Sequence, residues 1–323
     1  MNIANPRSRP QRQLLGGMAI GRISAGMRRH SCALSLVLIL LPPAGHITPA
    51  QQSVPHADFV IAKPVAEMFS KPTAESDVVS QAIYGTDVLS LEQRGDWYKI
   101  RTADEYTGWV AASDMLPLNT GPYAPEDKAI QVTGLIANVY REPDVTIHAP
   151  LLQLPWEARL ETVPITAGAI NTRWLEVRLV DGRGAWVQRG DVSANRVPLN
   201  IDQTIELARR FLGVTYTWGG VSSFGFDCSG FTQMLERQRG IEMPRDAGLQ
   251  AAWKRATPIE RKDLQPGDLL FFGSSAAKIT HTGMYIGNDL FIHDTTHDHP
   301  GVQISRLDDE PWTHLLVAQR RVK

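Results

Sequence analysis

Cysteine is scarce in this 323-residue chain, which contains only Cys32 and Cys228. If Cys32 were removed with a cleaved N-terminal segment, Cys228 would lack the disulfide partner that a structural cysteine normally has in an oxidising compartment. A thiolate metal site is disfavoured as well, because no second thiol could join it. At this stage two interpretations of Cys228 stay open, a buried inert thiol and a nucleophile.

An excess of positive charge is also missing. The chain has 33 lysine and arginine residues against 34 aspartate and glutamate residues, and its formal net charge is −1. Proteins that bind nucleic acid normally carry a basic footprint, so no nucleic-acid partner is expected. No phosphate-binding loop, metal-ligand cluster or cofactor motif occurs in the sequence, and we therefore expect neither a cofactor nor a metal.

Long hydrophobic runs are limited to one, CALSLVLILL at residues 32–41. Ten residues make about 15 Å of helix, half of the ~30 Å hydrocarbon core of a membrane. This length is typical of the core of a signal peptide, and the small residues that follow offer a cleavage site near Ala50. We interpret residues 1–50 as a signal peptide or, alternatively, as an N-terminal anchor segment. The rest of the chain is expected to be periplasmic or secreted, with no stable membrane span after cleavage.

The middle of the chain contains a repeat. The segments 95–115 (GDWYKIRTADEYTGWVAASDM) and 171–192 (NTRWLEVRLVDGRGAWVQRGDV) each carry two tryptophans twelve residues apart. Each first tryptophan begins an alternating run, and short alternating strands separated by turn residues predict small antiparallel barrels. Two copies about 75 residues apart predict two barrels, at residues 56–120 and 126–199.

The pattern around these tryptophans resembles bacterial SH3 domains, modules that commonly accompany cell-wall enzymes. We interpret the first tryptophan of each copy, Trp97 or Trp174, as a residue of the barrel core or of strand-end packing. Tyr106 lies in the loop just before the second tryptophan of the first copy. We expect this aromatic side chain to be exposed and to make a contact outside its own barrel.

The last part of the chain, residues 200–323, changes to helical and strand patterns. The segment 200–213 (NIDQTIELARRFLG) has apolar residues at helical spacing, with Asp202 placed as the N-cap. A loop rich in Gly and Ser then precedes a second helical pattern that begins at or beside Cys228. A helix N-terminus carries partial positive charge and free N–H groups, which favour a thiolate and can hold an oxyanion. This position suits a nucleophilic cysteine.

A nucleophilic cysteine also needs a base, and five histidines follow Cys228. The segments 281–288 (HTGMYIGN) and 290–295 (LFIHDT) predict a strand, a turn and a returning strand. This hairpin could place His281 and His293 on one face, with the second orienting the first, as cysteine acyl transfer requires. The remaining histidines are interpreted as surface residues: His297, His299 and His314.

Five motifs follow one another in this region: Y-x-W-G-G (216–220), F-D-C-S-G-F (226–231), M-P-R-D-A-x-x-Q (243–250), L-x-P-G-D-L-L-F-F (264–272) and H-x-G-M-Y-I-G (281–287). Together they resemble the NlpC/P60 cysteine peptidases over residues 200–323. The resemblance implies an α+β papain-like fold, in which the cysteine helix packs on an antiparallel sheet. It also implies hydrolysis of peptide bonds in murein stem peptides, commonly between D-γ-glutamate and a diamino acid.

On this resemblance Cys228 is the nucleophile, His281 the base and His293 the orienting third member. Tyr216 matches a tyrosine that helps to stabilise the active site and the oxyanion. Two SH3-like modules before such a domain resemble the γ-D-glutamyl-L-diamino acid endopeptidases of the dipeptidyl-peptidase VI type, which demand a free N-terminal L-alanine. The substrate-binding residues implied by this branch are Asp227, Ser229, Tyr106 and Trp218.

Two positions depart from that branch. Val79 stands where relatives can carry a glutamate toward the substrate amine, and Ala247 stands where a substrate-binding serine is common. Asp227 is then the main acidic candidate for the amine, unless Asp77 or Glu75 substitutes. Two further hypotheses stay open: a murein endopeptidase that acts on intact peptidoglycan with the SH3 modules as wall anchors, and a non-catalytic wall-binding scaffold. The intact set of catalytic residue types argues against the scaffold.

Overall fold

The computed structural model describes residues 57–164, 173–195 and 197–323. The predicted signal or anchor segment, residues 1–50, lies outside the described residues, and so does Cys32. Among the helices that are described, none is both long enough and apolar enough to cross a membrane.

The first region is an antiparallel sheet. Its strands are β1 (Phe59–Ile61), β2 (Val65–Phe69), β3 (Val78–Ile83), β4 (Asp87–Arg94), β5 (Trp97–Arg101), β6 (Thr107–Ala111) and β7 (Met115–Pro117). Their order in the sheet is β3-β2-β6-β5-β4-β1-β7. Side chains alternate along β2, so Ala66 and Met68 are buried in one apolar core with Ile100 and Val110.

The second region repeats this arrangement. Its described strands are β8 (Ala129–Val132), β9 (Ile136–Tyr140), β10 (Leu152–Pro155), β11 (Arg159–Thr162), β12 (Trp174–Arg178), β13 (Gly184–Gln188) and β14 (Val192–Ser193). They are ordered β10-β9-β13-β12-β11-β8-β14, which matches the first sheet strand for strand. The repeat of tryptophan spacing in the sequence therefore corresponds to a repeated strand order.

The tryptophans that begin β5 and β12 occupy similar places in the two sheets. Trp174 is 6% exposed and its ring packs edge-on against Tyr140, with the centroids 5.4 Å apart. Trp97 is half-buried and packs edge-on against Phe69 at 5.5 Å. Each tryptophan thus lies at the start of its strand and packs against an aromatic residue of another strand. Trp174 is the more deeply buried of the two.

The third region combines helices with a second kind of sheet. Its elements are α1 (Ile201–Arg210), β15 (Val221–Ser222), β16 (Gly225–Phe226), α2 (Cys228–Gln238), α3 (Ala247–Ala251), β17 (Ala256–Pro258), β18 (Leu269–Ser275), β19 (Lys278–Gly287), β20 (Leu290–Thr295), β21 (Gly301–Arg306), α4 (Trp312–Leu315) and β22 (Leu316–Val322). The six-stranded antiparallel sheet is ordered β17-β22-β18-β19-β20-β21.

Both faces of this sheet are covered by apolar side chains. On one face, residues of α1 and α2 form a core that includes Phe231 and, from the sheet, Phe271 and Ile292. On the other face Phe272 packs with Trp312. Because neighbouring strand residues point to opposite faces, the sheet holds α2 firmly on one side.

The start of α1 differs from the prediction. Asn200 is the N-cap: its side chain accepts the N–H of Gln203 at 2.9 Å, and the Gln203 side chain accepts the N–H of Asn200 at 3.0 Å. This reciprocal capping box satisfies two otherwise free donors. Asp202 lies in the first turn, where a negative charge is favourable. The prediction that Asp202 caps the helix was therefore wrong.

Candidate active site

Cys228 is the first residue of α2 and is 7% exposed. It is a free thiol within the described part of the chain. Asp227 caps the helix, because its Oδ1 accepts the N–H of Gly230 at 2.7 Å. A Cβ on Gly230 would lie 2.1 Å from the carbonyl oxygen of Gly220, so only glycine fits there. The thiol is therefore held at a closely packed junction between loop and helix.

The carboxylate of Asp227 is paired with Arg245, which is 2% exposed. Arg245 donates from Nη1 to Oδ1 at 2.9 Å and from Nη2 to Oδ2 at 2.7 Å. Nη1 also donates to the Ser229 hydroxyl at 2.8 Å, and the N–H of Gly219 donates to Oδ2 at 3.0 Å. Buried charges persist when they are paired and hydrogen-bonded. This network fixes the residues on both sides of Cys228.

The protonation state of Cys228 follows from its burial. Burial raises the pKa of the thiol to about 12, and the charge of Asp227 acts in the same direction. The N–H groups of Thr282 and Ser229 and the charge of Arg245 lower this pKa only in part. The sequence predicts that the helix N-terminus favours a thiolate, but burial and the negative N-cap outweigh that effect. Cys228 therefore keeps its proton until a base removes it.

A line of three hydrogen-bonded side chains crosses neighbouring strands beside the cysteine. His281 Nε2 on β19 lies 2.8 Å from His293 Nδ1 on β20, and His293 Nε2 lies 3.0 Å from Ser305 Oγ on β21. When His293 donates from Nε2 to Ser305, its Nδ1 accepts from Nε2 of His281. Nδ1 of His281 is then free to accept a proton.

Both histidines are electrically neutral in this environment. Burial lowers the pKa of His281 to about 3, although Asp227 acts in the opposite direction. Burial, followed by His281 and His297, lowers the pKa of His293 well below its usual value. A neutral imidazole is the form that can act as a base. At neutral pH His281 therefore carries no proton on Nδ1, as a base requires, while its lowered pKa makes it a weaker base than a solvated imidazole.

The other residues predicted to surround the nucleophile also lie near it. Tyr216 is half-buried and bridges to Phe226, two residues before Cys228. Burial raises the pKa of Tyr216, and Cys228 contributes to this rise, so the phenol stays protonated. Trp218 is 62% exposed, so much of its ring is open to solvent. Tyr216, Trp218, Asp227 and Ser229 are therefore brought together around one cysteine.

The first region lines this site through β3. The residues of β3 accept hydrogen bonds from three points of the third region. These bonds run from Trp218 Nε1 to the Val78 carbonyl at 3.0 Å, from Arg245 Nε to Ser80 Oγ at 3.1 Å, and from the Val221 N–H to Gln81 Oε1 at 3.2 Å. Val79 lies between these contacts and is half-buried. The edge of the first sheet is thus one wall of the site.

Tyr106, predicted to be exposed and to make a contact outside its own barrel, is instead half-buried against the core of the first region and contacts Asp246. Its hydroxyl lies 3.2 and 3.4 Å from the two carboxylate oxygens. Burial raises the pKa of Tyr106 to about 12, so the phenol is a donor. Burial also raises the pKa of Asp246, while Arg245 lowers it. Ala247, which begins α3, is buried directly after this carboxylate.

Several residues of the site were not singled out from the sequence. Arg245 and Asp246 lie inside the quoted motif M-P-R-D-A-x-x-Q, so that motif was the available signal. Ser305 has no such signal, because its contact with His293 depends on how β20 and β21 pair. No group of three or more His, Cys, Asp or Glu residues in the described ranges is arranged to hold a metal.

Comparison with known proteins identifies two sequence families within the chain. Residues 213–321 match the model described as NlpC/P60 family, and residues 68–115 match the model described as bacterial dipeptidyl-peptidase Sh3 domain. The third region therefore carries an NlpC/P60 domain, and the first carries one SH3 domain.

Similar curated proteins extend over most of the chain. A γ-D-glutamyl-L-lysine dipeptidyl-peptidase of Bacillus cereus is 30% identical over 264 residues, covering 77% of this chain and 76% of that protein. The protein of the same name from Bacillus subtilis is 27% identical and covers 76% and 81% of the two chains. Dipeptidyl-peptidase 6 of Lysinibacillus sphaericus is 28% identical and covers 79% and 92%.

The fold is also shared with solved structures. The crystal structure of an NlpC/P60 family protein from Bacillus cereus superposes with a TM-score of 0.68 at 24% identity, covering 82% of this chain and 99% of that one. An NlpC/P60 endopeptidase from Photobacterium damselae gives a TM-score of 0.58 at 14% identity, covering 83% and 72%. With a relative at 30% identity across three quarters of both chains and a matching domain around Cys228, this chain belongs to the NlpC/P60 family.

Proposed function

We propose that this protein is a cysteine peptidase that hydrolyses the bond between γ-D-glutamate and a diamino acid in murein stem peptides. The observation that carries the proposal is the line His281–His293–Ser305 together with Cys228 at the start of α2, whose thiol interacts with the backbone N–H of Thr282, the residue after His281. The names of the similar Bacillus proteins supply the bond that such a site would cleave.

The geometry supports a general-base mechanism. Cys228 Sγ attacks the γ-carbonyl carbon of the glutamate while Nδ1 of His281 takes the thiol proton. His293 and Ser305 hold the imidazole in the required tautomer and stabilise the imidazolium that forms. Breakdown of the tetrahedral intermediate passes the proton from His281 to the leaving amine, and water then hydrolyses the thioester.

Oxyanion stabilisation has candidates on two sides of the thiol. The amide N–H groups in the first turn of α2, apart from that of Gly230, which Asp227 binds, are donors for the negative charge that develops beside the thiol. The protonated phenol of Tyr216 is a second donor from the loop. We assign Tyr216 to this role, in agreement with the resemblance.

Specificity for a free N-terminal amine rests on acidic groups at the wall made by β3. Asp227 is already bound by Arg245, Ser229 and two backbone N–H groups, so little of its charge is available to an ammonium group. Asp246 has the Tyr106 hydroxyl as a neighbour and is half-buried. We propose that Asp246, together with Tyr106, receives the amine, and that an acylated stem is rejected because it would leave these groups unpaired.

Two coarser features complete the proposal. The second region shares the strand order of the first, and we propose that it is a second SH3-like module. The packing of α2 on an antiparallel sheet supports a papain-like α+β arrangement of the catalytic domain. We further propose export by an N-terminal signal and a periplasmic or secreted location, where stem peptides occur.

The proposal is tested with purified protein and paired peptides. The substrates are L-Ala-γ-D-Glu-meso-diaminopimelate, L-Ala-γ-D-Glu-L-Lys, and the N-acetylated twin of each, with products separated by mass. We expect release of the free diamino acid from the unblocked peptides and none from the blocked ones. Cys228→Ala should abolish cleavage while leaving the unfolding temperature near that of the wild type.

The other outcomes discriminate between the remaining hypotheses. Equal cleavage of blocked and unblocked peptides would favour an endopeptidase that acts on intact peptidoglycan. No cleavage of any peptide, with binding to purified cell walls, would favour a wall-binding scaffold. Turnover by Cys228→Ala near the wild-type rate would rule out the proposed mechanism.

A further inference from the structure

A buried acidic residue lies on the opposite face of the sheet from the line His281–His293–Ser305. Asp294 follows His293 on β20, and because strand side chains alternate, it points to the opposite face of the sheet. Its neighbours there are Ile292 on the same strand and Val302, which pairs with it on β21. Both belong to the core under α2. Asp294 therefore sits in the apolar layer between the sheet and the cysteine helix.

Asp294 is completely buried, with 0% exposure, and neither carboxyl oxygen has a hydrogen-bond partner among the described residues. On the neighbouring strand β19, Met284 pairs with Ile292, and Thr282 lies two residues before Met284, so its side chain points to the same face of the sheet as Asp294. Thr282 is also 0% exposed, and its hydroxyl likewise has no partner within the described ranges. Three buried polar atoms without a hydrogen-bond partner in the described part of the chain thus lie on this face of β19 and β20.

This position is in electrostatic contact with the nucleophile and its neighbours. Burial raises the pKa of Asp294 to about 8, and Asp227 adds to the rise, while the nearby N–H groups of Thr295 and Phe226, which do not complete hydrogen bonds to the carboxyl group, lower it in part. Asp294 in turn contributes to the raised pKa of Tyr216. The N–H of Thr282 acts on the Cys228 thiol. At neutral pH the carboxyl group is therefore predominantly protonated and uncharged.

The charged and titratable groups around Asp294 come from each element that packs against it. The loop before α2 contributes Tyr216 and Asp227, and α2 contributes Cys228. His281 of β19 and His293 of β20 lie on the other face of the sheet, beside Phe272 and Phe291. The positive charge of Arg245 is engaged by Asp227. No cation is therefore available to compensate a second carboxylate within this described cluster.

We propose that Asp294 is a positioning residue that acts in its neutral form, and that its ionisation sets the alkaline limit of the reaction at Cys228. The inference rests on the proposed function, because it concerns the same thiol. Attack by Cys228 creates negative charge on sulfur or on the carbonyl oxygen. A carboxylate at Asp294 would add a second buried negative charge beside Asp227 and raise the free energy of that state. When Asp294 is protonated, it adds no negative charge between the loop before α2 and strand β20.

The test compares pH profiles of kcat/KM for the wild-type chain and Asp294→Asn on the unblocked peptide. The wild-type rate should fall above about pH 8, and in Asp294→Asn this alkaline limb should move up by at least about one pH unit or disappear. Asp294→Asn preserves the shape but cannot ionise, so the position of the limb is informative at any absolute rate. An unchanged limb in Asp294→Asn would overturn the proposal.

A second variant and a control separate this role from general destabilisation. Thr282→Val removes a buried hydroxyl that has no partner among the described residues and lies on the same face of the sheet as Asp294, which lowers the polarity around the carboxyl group, so its alkaline limb should also move to higher pH. Glu236→Gln is the matched control, because Glu236 is a fully buried acid on α2 whose pKa is raised to about 7, paired with Arg239 away from the thiol. Its limb should coincide with that of the wild type. A shift of equal size in Glu236→Gln would overturn the assignment to Asp294.

Unfolding midpoints measured at several pH values on the same samples test the buried proton of Asp294 without any peptide substrate. A pKa raised in the folded state means that the folded protein holds a proton that the unfolded chain has lost, so stability falls as pH rises from about 4 to about 8. The stability of Asp294→Asn relative to the wild type should therefore increase from about pH 5 to about pH 9. A constant difference would refute the buried proton even if no peptide is cleaved.

Discussion

Arg245 donates hydrogen bonds to both carboxylate oxygens of Asp227, at 2.9 and 2.7 Å. Its third nitrogen, Nε, donates to the hydroxyl of Ser80 in the first region at 3.1 Å. One side chain therefore connects the N-cap of the cysteine helix to the neighbouring sheet. The orientation of Cys228 depends on an arginine that touches neither the thiol nor the base. The first region is consequently part of the active-site architecture.

Removing this arginine charge should destabilise the protein strongly. We expect Arg245→Met to lower the free energy of unfolding by about 3–5 kcal/mol, because it leaves Asp227 buried without its partner. Chemical denaturation with a circular dichroism readout measures the change. Arg183→Met is the matched control, since the pair of Arg183 with Asp181 lies at the surface, and it should show no measurable loss. Equal losses in both variants would contradict the role of burial.

Ser305 should matter through the tautomer of His293. Ser305→Ala removes the hydrogen bond to Nε2, and a bond worth about 1 kcal/mol corresponds to roughly a five- to tenfold loss in kcat/KM. The loss should fall mainly on kcat, because Ser305 makes no contact with the substrate position. Ser305→Thr, which keeps a hydroxyl, should recover most of the rate. Ser275 is an exposed serine of the same sheet, and Ser275→Ala should behave as the wild type. If Ser305→Thr did not recover the rate, the loss in Ser305→Ala would be due to packing rather than to the hydrogen bond.

The acid limb of the pH profile of kcat/KM should lie at lower pH than it would for a histidine with the usual pKa. Burial lowers the pKa of His281 to about 3, so the base stays neutral as the pH falls through the range in which an ordinary histidine is protonated. We expect kcat/KM at pH 5 to be at least about half of its value at pH 7. A histidine with the usual pKa would lose about thirtyfold over this interval. An acid limb centred near pH 6.5 would mean that the imidazole is solvated in the working enzyme.

Tyr106 should affect the discrimination between unblocked and N-acetylated peptides more than the rate of bond cleavage. Tyr106→Phe removes the hydroxyl beside Asp246, and we expect the preference for unblocked over N-acetylated peptide to fall by about three- to tenfold, mostly through KM. Tyr98→Phe is the matched control, because Tyr98 is a half-buried tyrosine of the same sheet that packs on Phe59. Its preference should equal that of the wild type. An unchanged preference in Tyr106→Phe would remove this residue from amine recognition.

Much of the site was predictable because its residues occur in local patterns. The helical spacing after Cys228 and the alternation around His281 and His293 are short-range features, and α2, β19 and β20 are where those patterns predict them. The helix cap at Asn200 was missed in favour of Asp202, since both residue types can cap and the choice depends on how Gln203 folds back.

Residue identity and spacing by themselves determined the candidate nucleophile, the two candidate histidines, the repeat of strand patterns and the family resemblance, because each is carried by a few dozen contiguous residues. Tertiary structure alone decided the pairing of Arg245 with Asp227, the contact of Ser305 with His293 and the complete burial of Asp294. Those relationships join residues that are distant in the chain, through strand register and the docking of β3. Burial also decided the charge on Cys228, because desolvation depends on everything packed around the thiol and outweighs the local effect of the helix N-terminus.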